Sequence, residues 1–496
     1  MPANFPEWIA LLPPFITIVV ALVTRHAIGA LFVGLITGSF IASDGFVLNT
    51  ISHVFNSLVS VVYSEGFDVD HLSLFGFLWI LGALIHTLIA SGGMEQLSHL
   101  LMKHQTTPRK TQLTVVGLGF LVFIDDYFNT LAVGTISRPL VDRAKISREK
   151  LAYFLDSTAG PVCILAPLSS WGATIIAILD GISRNEGLES DGLNLFLQSI
   201  PLNFYSIFTI LMVLFVASTQ FDFPSMKKTQ PVQLDSTSQN KALTSFKTPL
   251  SAFISLIFMT IAGMIFSAFY YSPSNATFIE YIQAMVIGPS LFLGALSAYL
   301  VAIKPIPAAQ RNISQSLIEG MKTMAPAMMI LFLAWGLAGT ISELKTGDFI
   351  VEQLKAAHIP MTRIPLVSFL LAGLLSFTTG TSWATFSILL PIISQMTQTQ
   401  PENLPICIAA ILGGSVFGDH CSPISDTSIL SSTGAGCHHM SHVMTQLPYC
   451  ILTAVMTVAT YFCIEFFTVS PALSFLAISS FGFALLALYN HKQLAR

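Results

Sequence analysis

Charged side chains are scarce in this chain of 496 residues, because Asp, Glu, Lys and Arg together make up 10% of it. A soluble globular domain carries about 25%. Hydrophobic residues make up 53%, and the mean hydropathy is +0.72. No stretch between the apolar segments is long enough for a separate soluble domain. The composition therefore argues against a soluble enzyme and favours an all-α polytopic membrane protein.

Cysteine is also rare, and its spacing excludes two further classes of site. The six cysteines contain no Cys-x-x-Cys pair, so the sequence indicates neither a structural zinc site nor a redox motif. Each one lies within or beside an apolar segment, where a small buried hydrophobic residue is expected. We expect no cofactor.

Apolar runs long enough to cross a bilayer, about 20 residues each, recur along the whole chain. The first run lacks a basic n-region and a small-residue cleavage site, so it is read as a transmembrane helix and not as a signal peptide. We predict eleven transmembrane helices, at 8–24, 28–42, 73–91, 152–179, 201–219, 250–271, 283–303, 324–342, 405–430, 448–467 and 471–490.

Two further apolar stretches fit re-entrant hairpins better than single crossings. Lys and Arg cluster in cytoplasmic loops, and stretch 112–137 has a strongly basic loop on each side, at 103–110 and 138–150. A hairpin that enters and leaves from the cytoplasm keeps both basic loops on the cytoplasmic side. When the crossings after it are counted along the chain, stretch 365–395 is predicted to be a hairpin that enters and leaves from the outer side. This topology predicts a bacterial inner-membrane protein with the N-terminus outside and the C-terminus in the cytoplasm.

Each hairpin is followed by an apolar helix that Pro and Gly interrupt close to an Asp, at 152–179 and 405–430. These features predict an inverted repeat of two units, the arrangement in which secondary transporters place their sites at the breaks. The alternative is that Pro and Gly only kink ordinary helices. The predicted segments are N-terminal helices 1–69, a first unit 70–220, a cytoplasmic linker 221–248, connecting scaffold helices 249–322, a second unit 323–467 and a C-terminal helix 468–496.

Several aspartates are predicted at membrane depth, where an ionised carboxylate costs several kcal/mol unless a cation, proton or donor compensates it. Na+ prefers hard oxygen ligands, and an Asp that holds either Na+ or H+ provides an exchange mechanism. We expect Asp156 and Asp419, at equivalent breaks, to be the Na+ ligands. The full predicted ion or substrate site comprises Asp126, Asn129, Thr130, Asp156, Ser157, Thr158, Thr381, Ser382, Trp383, Asp419, Ser422, Ser425 and Asp426.

Other polar residues allow competing interpretations. Asp126 could form an ion pair with Arg138 instead of contributing to an ion site. His438, His439 and His442 have a spacing that would permit a metal site, but a solvated loop is the favoured interpretation. Trp383 and Tyr127 would bring aromatic surface to the cavity, either against an organic substrate or as part of a gate.

The longest motif runs from Gly418 through Asp-His-Cys-Ser-Pro-Ile-Ser-Asp to Thr427 and on to Tyr449, and it closely resembles the NhaC family of Na+/H+ antiporters. Phe123-Ile-Asp-Asp-Tyr127 and Gly380-Thr-Ser-Trp383 are similar to that family too. The resemblance implies scaffold and transport domains, two re-entrant hairpins, a homodimer and an elevator motion. It leaves the cargo open, because the family also includes malate/lactate antiporters and methionine-type carriers.

The expected function is exchange of cytoplasmic Na+ for external H+, with the bilayer as surroundings and no nucleic-acid partner. The first alternative is Na+-coupled transport of a small carboxylate or amino acid, since the polar hairpin turns near helix N-termini suit a carboxyl group. An intramembrane aspartyl protease is disfavoured, because Val416-Phe-Gly-Asp419 lacks the first Gly of the expected Gly-x-Gly-Asp motif. A passive channel is disfavoured as well, because two gated breaks do not need a continuous pore.

Overall fold

The computed structural model shows a protein built from helices. Apart from isolated positions, it describes residues 5–24, 26–63, 66–93, 107–123, 125–167, 169–186, 190–231, 244–273, 284–346, 363–397 and 400–494. Parts of the predicted basic loop 103–110 and of the linker 221–248 lie outside these ranges. Within them there are twenty α-helices and no strand beyond one isolated bridge between Tyr63 and Phe67.

The helices of the first part of the chain are α1 (Leu12–Thr24), α2 (Ala27–Ala42), α3 (Val47–Ser60), α4 (Val69–Ala90), α5 (Pro108–Leu121), α6 (Asp126–Arg143), α7 (Arg148–Cys163), α8 (Ser170–Glu186), α9 (Gly192–Ser199), α10 (Phe204–Thr219) and α11 (Pro224–Lys227). Those of the second part are α12 (Lys247–Tyr271), α13 (Ile287–Ile303), α14 (Ile313–Glu343), α15 (Ile364–Thr379), α16 (Ser382–Thr397), α17 (Leu404–Cys421), α18 (Asp426–Ala435), α19 (His439–Phe467) and α20 (Pro471–Leu494).

Several of these helices are long and apolar enough to cross a membrane. Among the described residues five qualify singly, and up to seven qualify if each of two bent helix pairs is one span. Other apolar helices, including α2, α13 and α15, are shorter. The structure therefore supports a multi-pass membrane protein, and the total of eleven crossings stays a prediction. Helix α3 lies between two predicted spans, where a loop was expected. The sequence did not indicate this helix because the polar Asn49, His53 and Asn56 interrupt its apolar pattern.

Both stretches interpreted as hairpins form two helices with a tight connection. Helix α5 ends at Leu121 and α6 begins at Asp126, where the Asp125 carboxylate accepts a hydrogen bond from the Phe128 N–H at 2.9 Å. In the second stretch α15 ends at Thr379 and is capped by Gly380, whose φ of 71° lies in the left-handed region that glycine adopts without strain. The two connections overlap the motifs Phe123–Tyr127 and Gly380–Trp383.

The two stretches interpreted as interrupted helices each contain two helices. The first break separates α7 from α8, and the second separates α17 from α18 at residues 422–425. Ser425 caps α18 by accepting the Ser428 N–H at 3.2 Å. The same order of elements thus occurs twice, in α4–α8 and in α14–α18: a long helix is followed by a helix pair, and then by two helices separated by a break. That the two sets have opposite orientations in the membrane stays a prediction.

The two sets interlock through the helix that follows each break. Helix α18 packs against α6 of the first hairpin, and α8 packs against α16 of the second. At the first crossing Gly134 and Gly434 bring the two backbones into contact, since a Cβ on Gly134 would lie 2.6 Å from the Gly434 carbonyl carbon. At the second crossing the Trp171 and Trp383 rings pack with their centroids 5.1 Å apart.

The remaining helices pack in separate groups around these crossings. Helices α4, α12, α13 and α14 share one apolar cluster, which also receives Phe128 and Ile424 from beside the hairpin turn and the break. Helices α8, α10, α16 and α17 share another. Between α7 and the segment after α10, the nearly buried Lys150 pairs with Asp222 at 2.9 Å. The hairpin turns and the second break therefore lie beside a separately packed wall of helices.

The close crossing of α6 and α18 predicts that adding one methyl group there is destabilising. We expect Gly134→Ala to lower the free energy of unfolding by about 1–3 kcal/mol, the usual effect of overpacking. Thermal unfolding of the purified protein in detergent measures it. Gly339→Ala is the matched control, because a Cβ on Gly339 of α14 would meet nothing within 4 Å. Equal melting temperatures for the two variants would contradict the close contact.

Candidate functional site

A cavity of about 490 Å³, here called the acidic cavity, lies between the wall formed by α4, α13 and α14 and the two hairpin turns. Its charged lining groups include the carboxylates of Asp125, Asp126 and Asp426, and its described lining residues include no Lys or Arg. Thr381 and Trp383 of the second hairpin face the same space. The fold therefore joins the first hairpin turn, the second hairpin turn and the second break at one cavity.

A side-chain hydrogen bond connects the first hairpin to the second break directly. The Tyr127 hydroxyl donates to Asp426 Oδ2, and the backbone N–H of Thr427 donates to Asp426 Oδ1 at 2.8 Å. The sequence identified Tyr127 only as aromatic surface. Its position next to Asp126 in a polar turn was the available signal for a polar role.

The first hairpin turn carries two buried oxygen atoms that make no hydrogen bond with the described residues. Asp126 is 2% exposed, and its Oδ2 makes no hydrogen bond within the described part of the chain. The Asn129 amide nitrogen donates to the carbonyl oxygens of Gly119 and Val122 at 2.7 and 2.8 Å, while its Oδ1 also makes no hydrogen bond there. Thr130 donates to the Tyr127 carbonyl at 3.0 Å. The Asn129 amide nitrogen therefore closes the turn. Asp126 Oδ2 and Asn129 Oδ1 stay buried and accept no hydrogen bond from the described residues.

Asp419 lies where the second hairpin meets the second break. Its Oδ2 accepts hydrogen bonds from Ser382 at 3.1 Å and from Thr427 at 3.2 Å. Its Oδ1, like Asp126 Oδ2, has no hydrogen-bond partner among the described residues. Through Thr427, Asp419 is adjacent to Asp426, and the two carboxylates repel each other. This half-satisfied carboxylate is therefore available to a further ligand.

Asp156 is surrounded quite differently. Ser428 and Gln446 donate to its Oδ2 at 2.9 and 2.6 Å, and Ser431 donates to its Oδ1 at 3.2 Å. His442 Nε2 lies 3.3 Å from Oδ2, and both side chains are completely buried. An ionised carboxylate accepts at both oxygens. These four partners therefore satisfy Asp156 without an added cation, and they tie α7 to α18 and α19.

The four partners of Asp156 were absent from the predicted site. Ser428 and Ser431 lie three residues apart on α18, and His442 and Gln446 lie four apart on α19, so each pair shares one helix face. The favoured interpretation of His439 and His442 as a solvated loop is wrong. Helix α19 begins at His439, and both imidazoles are buried. Because the apolar run begins only at about residue 448, the preceding polar turns were not recognised as helix.

The other predicted site residues support the local backbone. Thr158 donates to the Phe154 carbonyl at 2.7 Å, and Ser422 donates to the Phe377 carbonyl at 2.8 Å. Ser425 caps α18, and Ser157 Oγ has no hydrogen-bond partner in the ranges given above. No group of three or more His, Cys, Asp or Glu side chains is arranged to hold a metal ion among the residues described.

Arg138 does not pair with Asp126. The two residues are twelve positions apart on α6, a separation of about 18 Å along the helix axis. The Arg138 guanidinium donates instead to the carbonyl oxygens of Thr433 and, at 2.6 Å, Gly434. It therefore satisfies the C-terminal carbonyls of α18.

The environment of Asp156 predicts a structural effect for each donor. We expect Ser428→Ala to lower the free energy of unfolding by about 1.5–3 kcal/mol, the range for a hydrogen bond to a charged group. Thermal unfolding in detergent measures the change. Ser218→Ala is the control, because that serine bonds only to the Phe215 carbonyl of its own helix. Similar losses of stability in both variants would show that the hydrogen bond to Asp156 stabilises the fold no more than an ordinary one within a helix.

Comparison with known proteins places this geometry in context. An uncharacterized protein of Haemophilus influenzae is 36% identical over 472 residues, which are 92% of this chain and 91% of that protein. An uncharacterized Na+/H+ antiporter of the same organism is 34% identical over 28% of this chain and 30% of its own length. A malate-2H+/Na+-lactate antiporter of Bacillus subtilis is 26% identical over 34% of this chain and 36% of its own length.

A family model also matches more than half of the chain. Residues 162–465 match the model of the Na+/H+ antiporter family, a stretch that contains the second hairpin, the second break and the helix that follows it. Asp419, Asp426 and the serines that bond Asp156 all lie inside it. The chain belongs to the Na+/H+ antiporter family.

Proposed function

We propose that this protein is a secondary transporter that exchanges cytoplasmic Na+ for external H+ at the acidic cavity. The observation that carries the proposal is that two buried carboxylate oxygens, Asp126 Oδ2 and Asp419 Oδ1, make no hydrogen bond with the described residues. Both carboxylates also lie close enough to Asp426 to be repelled by it. A buried polar atom without a partner is costly. A bound Na+ or a proton removes that cost.

Charge repulsion strengthens the argument for a cation. Asp125, Asp126 and Asp426 line one cavity, and Asp126 repels both of the others. A single positive charge among them offsets this repulsion, and Na+ and H+ compete for the same oxygens. Asn129 Oδ1 and the Thr427 hydroxyl add neutral oxygen ligands of the kind that Na+ accepts. Competition for one site couples the inward movement of H+ to the outward movement of Na+.

The two aspartates expected to bind Na+ take different parts in this proposal. Asp419 keeps the role of Na+ ligand, since one of its oxygens is unoccupied. Asp156 contributes in a different way, because four side chains already satisfy it. It holds α18 in position behind Asp426, and Na+ reaches it only after those bonds rearrange.

The placement of the protein in the cell is part of the same proposal. The basic loops support an inner-membrane protein with its N-terminus outside and its C-terminus in the cytoplasm. The family resemblance supports a homodimer.

A Na+-coupled amino-acid transporter is the second candidate. The acidic cavity, at about 490 Å³, is far larger than Na+ requires and falls within the range of small-molecule sites. An ammonium group beside Asp126 and Asp426 would use the same carboxylates. Uptake of a panel of labelled amino acids into the vesicles described below, with and without Na+, tests it.

Everted membrane vesicles that contain the protein provide the direct test of exchange. Adding Na+ to vesicles with an acid interior should dequench a pH-sensitive dye. We expect Asp419→Asn and Asp126→Asn each to reduce the Na+-dependent rate about tenfold or more, since an amide provides no charge for the cation. Glu402→Gln, an exposed residue outside the cavity, is the control.

Two results would overturn the proposal. One is a wild-type protein that gives no Na+-dependent signal at any pH from mildly acid to alkaline. The other is a pair of Asp variants that keep the wild-type rate at equal protein levels in the vesicles.

A further inference from the structure

The acidic cavity reaches one end of each of three wall helices. Its described lining includes His71 near the start of α4, Gly288 near the start of α13 and Ala338 near the end of α14. In the proposed topology the chain crosses inward in α4 and α13 and outward in α14, so all three positions lie toward the outer side of the membrane. The cavity therefore extends from the hairpin turns toward the side that supplies the proton in the proposed exchange.

His71 differs from the carboxylates of this cavity in its accessibility. The His71 side chain is 32% exposed, whereas Asp126 and Asp426 as whole residues are 2% and 8% exposed. Water outside the protein therefore reaches the imidazole more readily than it reaches those carboxylates.

Three neighbours fix the imidazole of His71 in one orientation. Its Nδ1 lies 2.8 Å from the Val61 carbonyl oxygen and 3.1 Å from Asp68 Oδ2. The ring stacks on the Trp335 indole, with the centroids 4.0 Å apart and the planes 24° apart. Asp68 also accepts the His71 backbone N–H at 2.8 Å, so the same residue caps α4 and holds the ring.

The contact with Val61 decides which ring nitrogen of His71 is basic. A carbonyl oxygen only accepts hydrogen bonds, so Nδ1 carries the hydrogen and donates it. Nε2 is then the nitrogen that takes up a further proton. An imidazole gains and loses a proton near neutral pH, which suits a group that passes protons between water and a buried acid.

The charged surroundings of His71 favour transfer toward the hairpin turns. The described lining contributed by α13 and α14 contains no titratable group. The titratable groups that contact the ring or share its cavity are Asp68, Asp125, Asp126, Tyr127 and Asp426. A protonated imidazole is therefore attracted to the carboxylates, and a cavity of about 490 Å³ has room for water between them.

We propose that His71 is the proton-relay residue on the outer side of the acidic cavity, an assignment that rests on the proposed exchange of Na+ for H+. Nε2 binds a proton from the outside water, and the ring becomes a cation. The ring then releases this proton through water in the cavity to a carboxylate oxygen of Asp126. The protonated carboxyl group no longer holds Na+, which leaves to the outside, and the imidazole is neutral again.

Two modes of radioactive Na+ flux separate a proton relay from a structural role. Proteoliposomes that contain the full-length protein are loaded with radioactive Na+, with equal pH on both sides and with K+ and valinomycin to hold the membrane potential at zero. Efflux into Na+-free buffer requires H+ in return, whereas efflux into unlabelled Na+ transfers no proton. We expect His71→Gln to lower the first rate about tenfold or more and to leave the second within about twofold of wild type.

A second variant tests the same role by chemical rescue. His71→Ala leaves space beside Trp335 that a small base from the buffer can fill. Imidazole at equal concentration on both sides should restore part of its H+-coupled efflux. Pyrazole, a ring of the same size that is a far weaker base, should restore none.

His53→Gln is the matched control. His53 also pairs with a carboxylate, that of Glu343 at 2.9 Å, but it is not among the described residues that line the cavity. It should behave as wild type in both modes of flux.

The inference is overturned if His71→Gln keeps the wild-type rate of H+-coupled efflux, or if both of its rates fall together in protein that unfolds at the wild-type temperature. It is also overturned if pyrazole rescues His71→Ala as well as imidazole does, or if His53→Gln shows the same selective loss. A wild-type protein without H+-coupled efflux would refute the proposed exchange itself. Coupled efflux that is equal in wild type and His71→Gln would refute the relay alone.

Discussion

The constraint that organises this protein is the burial of several carboxylates inside the helical fold, where each needs a compensating group. The fold compensates them to different degrees. Among the described residues, Asp156 has four side-chain partners, Asp419 has partners on one oxygen only, and Asp126 has an oxygen with none. Asp156 therefore holds helices together, and the proposed exchange assigns the ion to the less satisfied carboxylates.

Helix α18 is the element on which this arrangement depends. Its first residue, Asp426, faces the acidic cavity, its serines bond Asp156, and its last carbonyls accept hydrogen bonds from Arg138. The glycine contact with α6 places it directly against the first hairpin. A shift of α18 would therefore change all three environments together.

The sequence predicted the features that follow from local chemistry and charge. Basic loops on both sides of one apolar stretch indicated the first hairpin, and Pro and Gly beside Asp156 and Asp419 indicated the breaks. Each of these segments contains two helices in the structure. That the helix pairs are re-entrant and that the two units are inverted stay predictions. Local polarity was also sufficient to identify Asp126 and Asp426 as candidates, because a charge in an apolar segment stands out without any tertiary information.

The partners of those carboxylates could not be predicted in the same way. Ser428 is 272 residues from Asp156, and Tyr127 is 299 residues from Asp426, so only the packing of distant helices pairs them. Serine, tyrosine and glutamine are ordinary in helices, and nothing local distinguishes those that face a carboxylate. The error at His442 has a related cause. Its polar helical turn is stabilised by burial against Asp156 and not by an apolar pattern.

In the proposed exchange, Na+ and H+ compete for the same carboxylate oxygens. Equilibrium binding of radioactive Na+ to the purified protein in detergent, measured over a range of pH, tests this competition. We expect saturable binding whose affinity falls as the pH is lowered, because protons occupy the oxygens of Asp126, Asp419 and Asp426. Absence of saturable Na+ binding, or an affinity that does not change with pH, would contradict it.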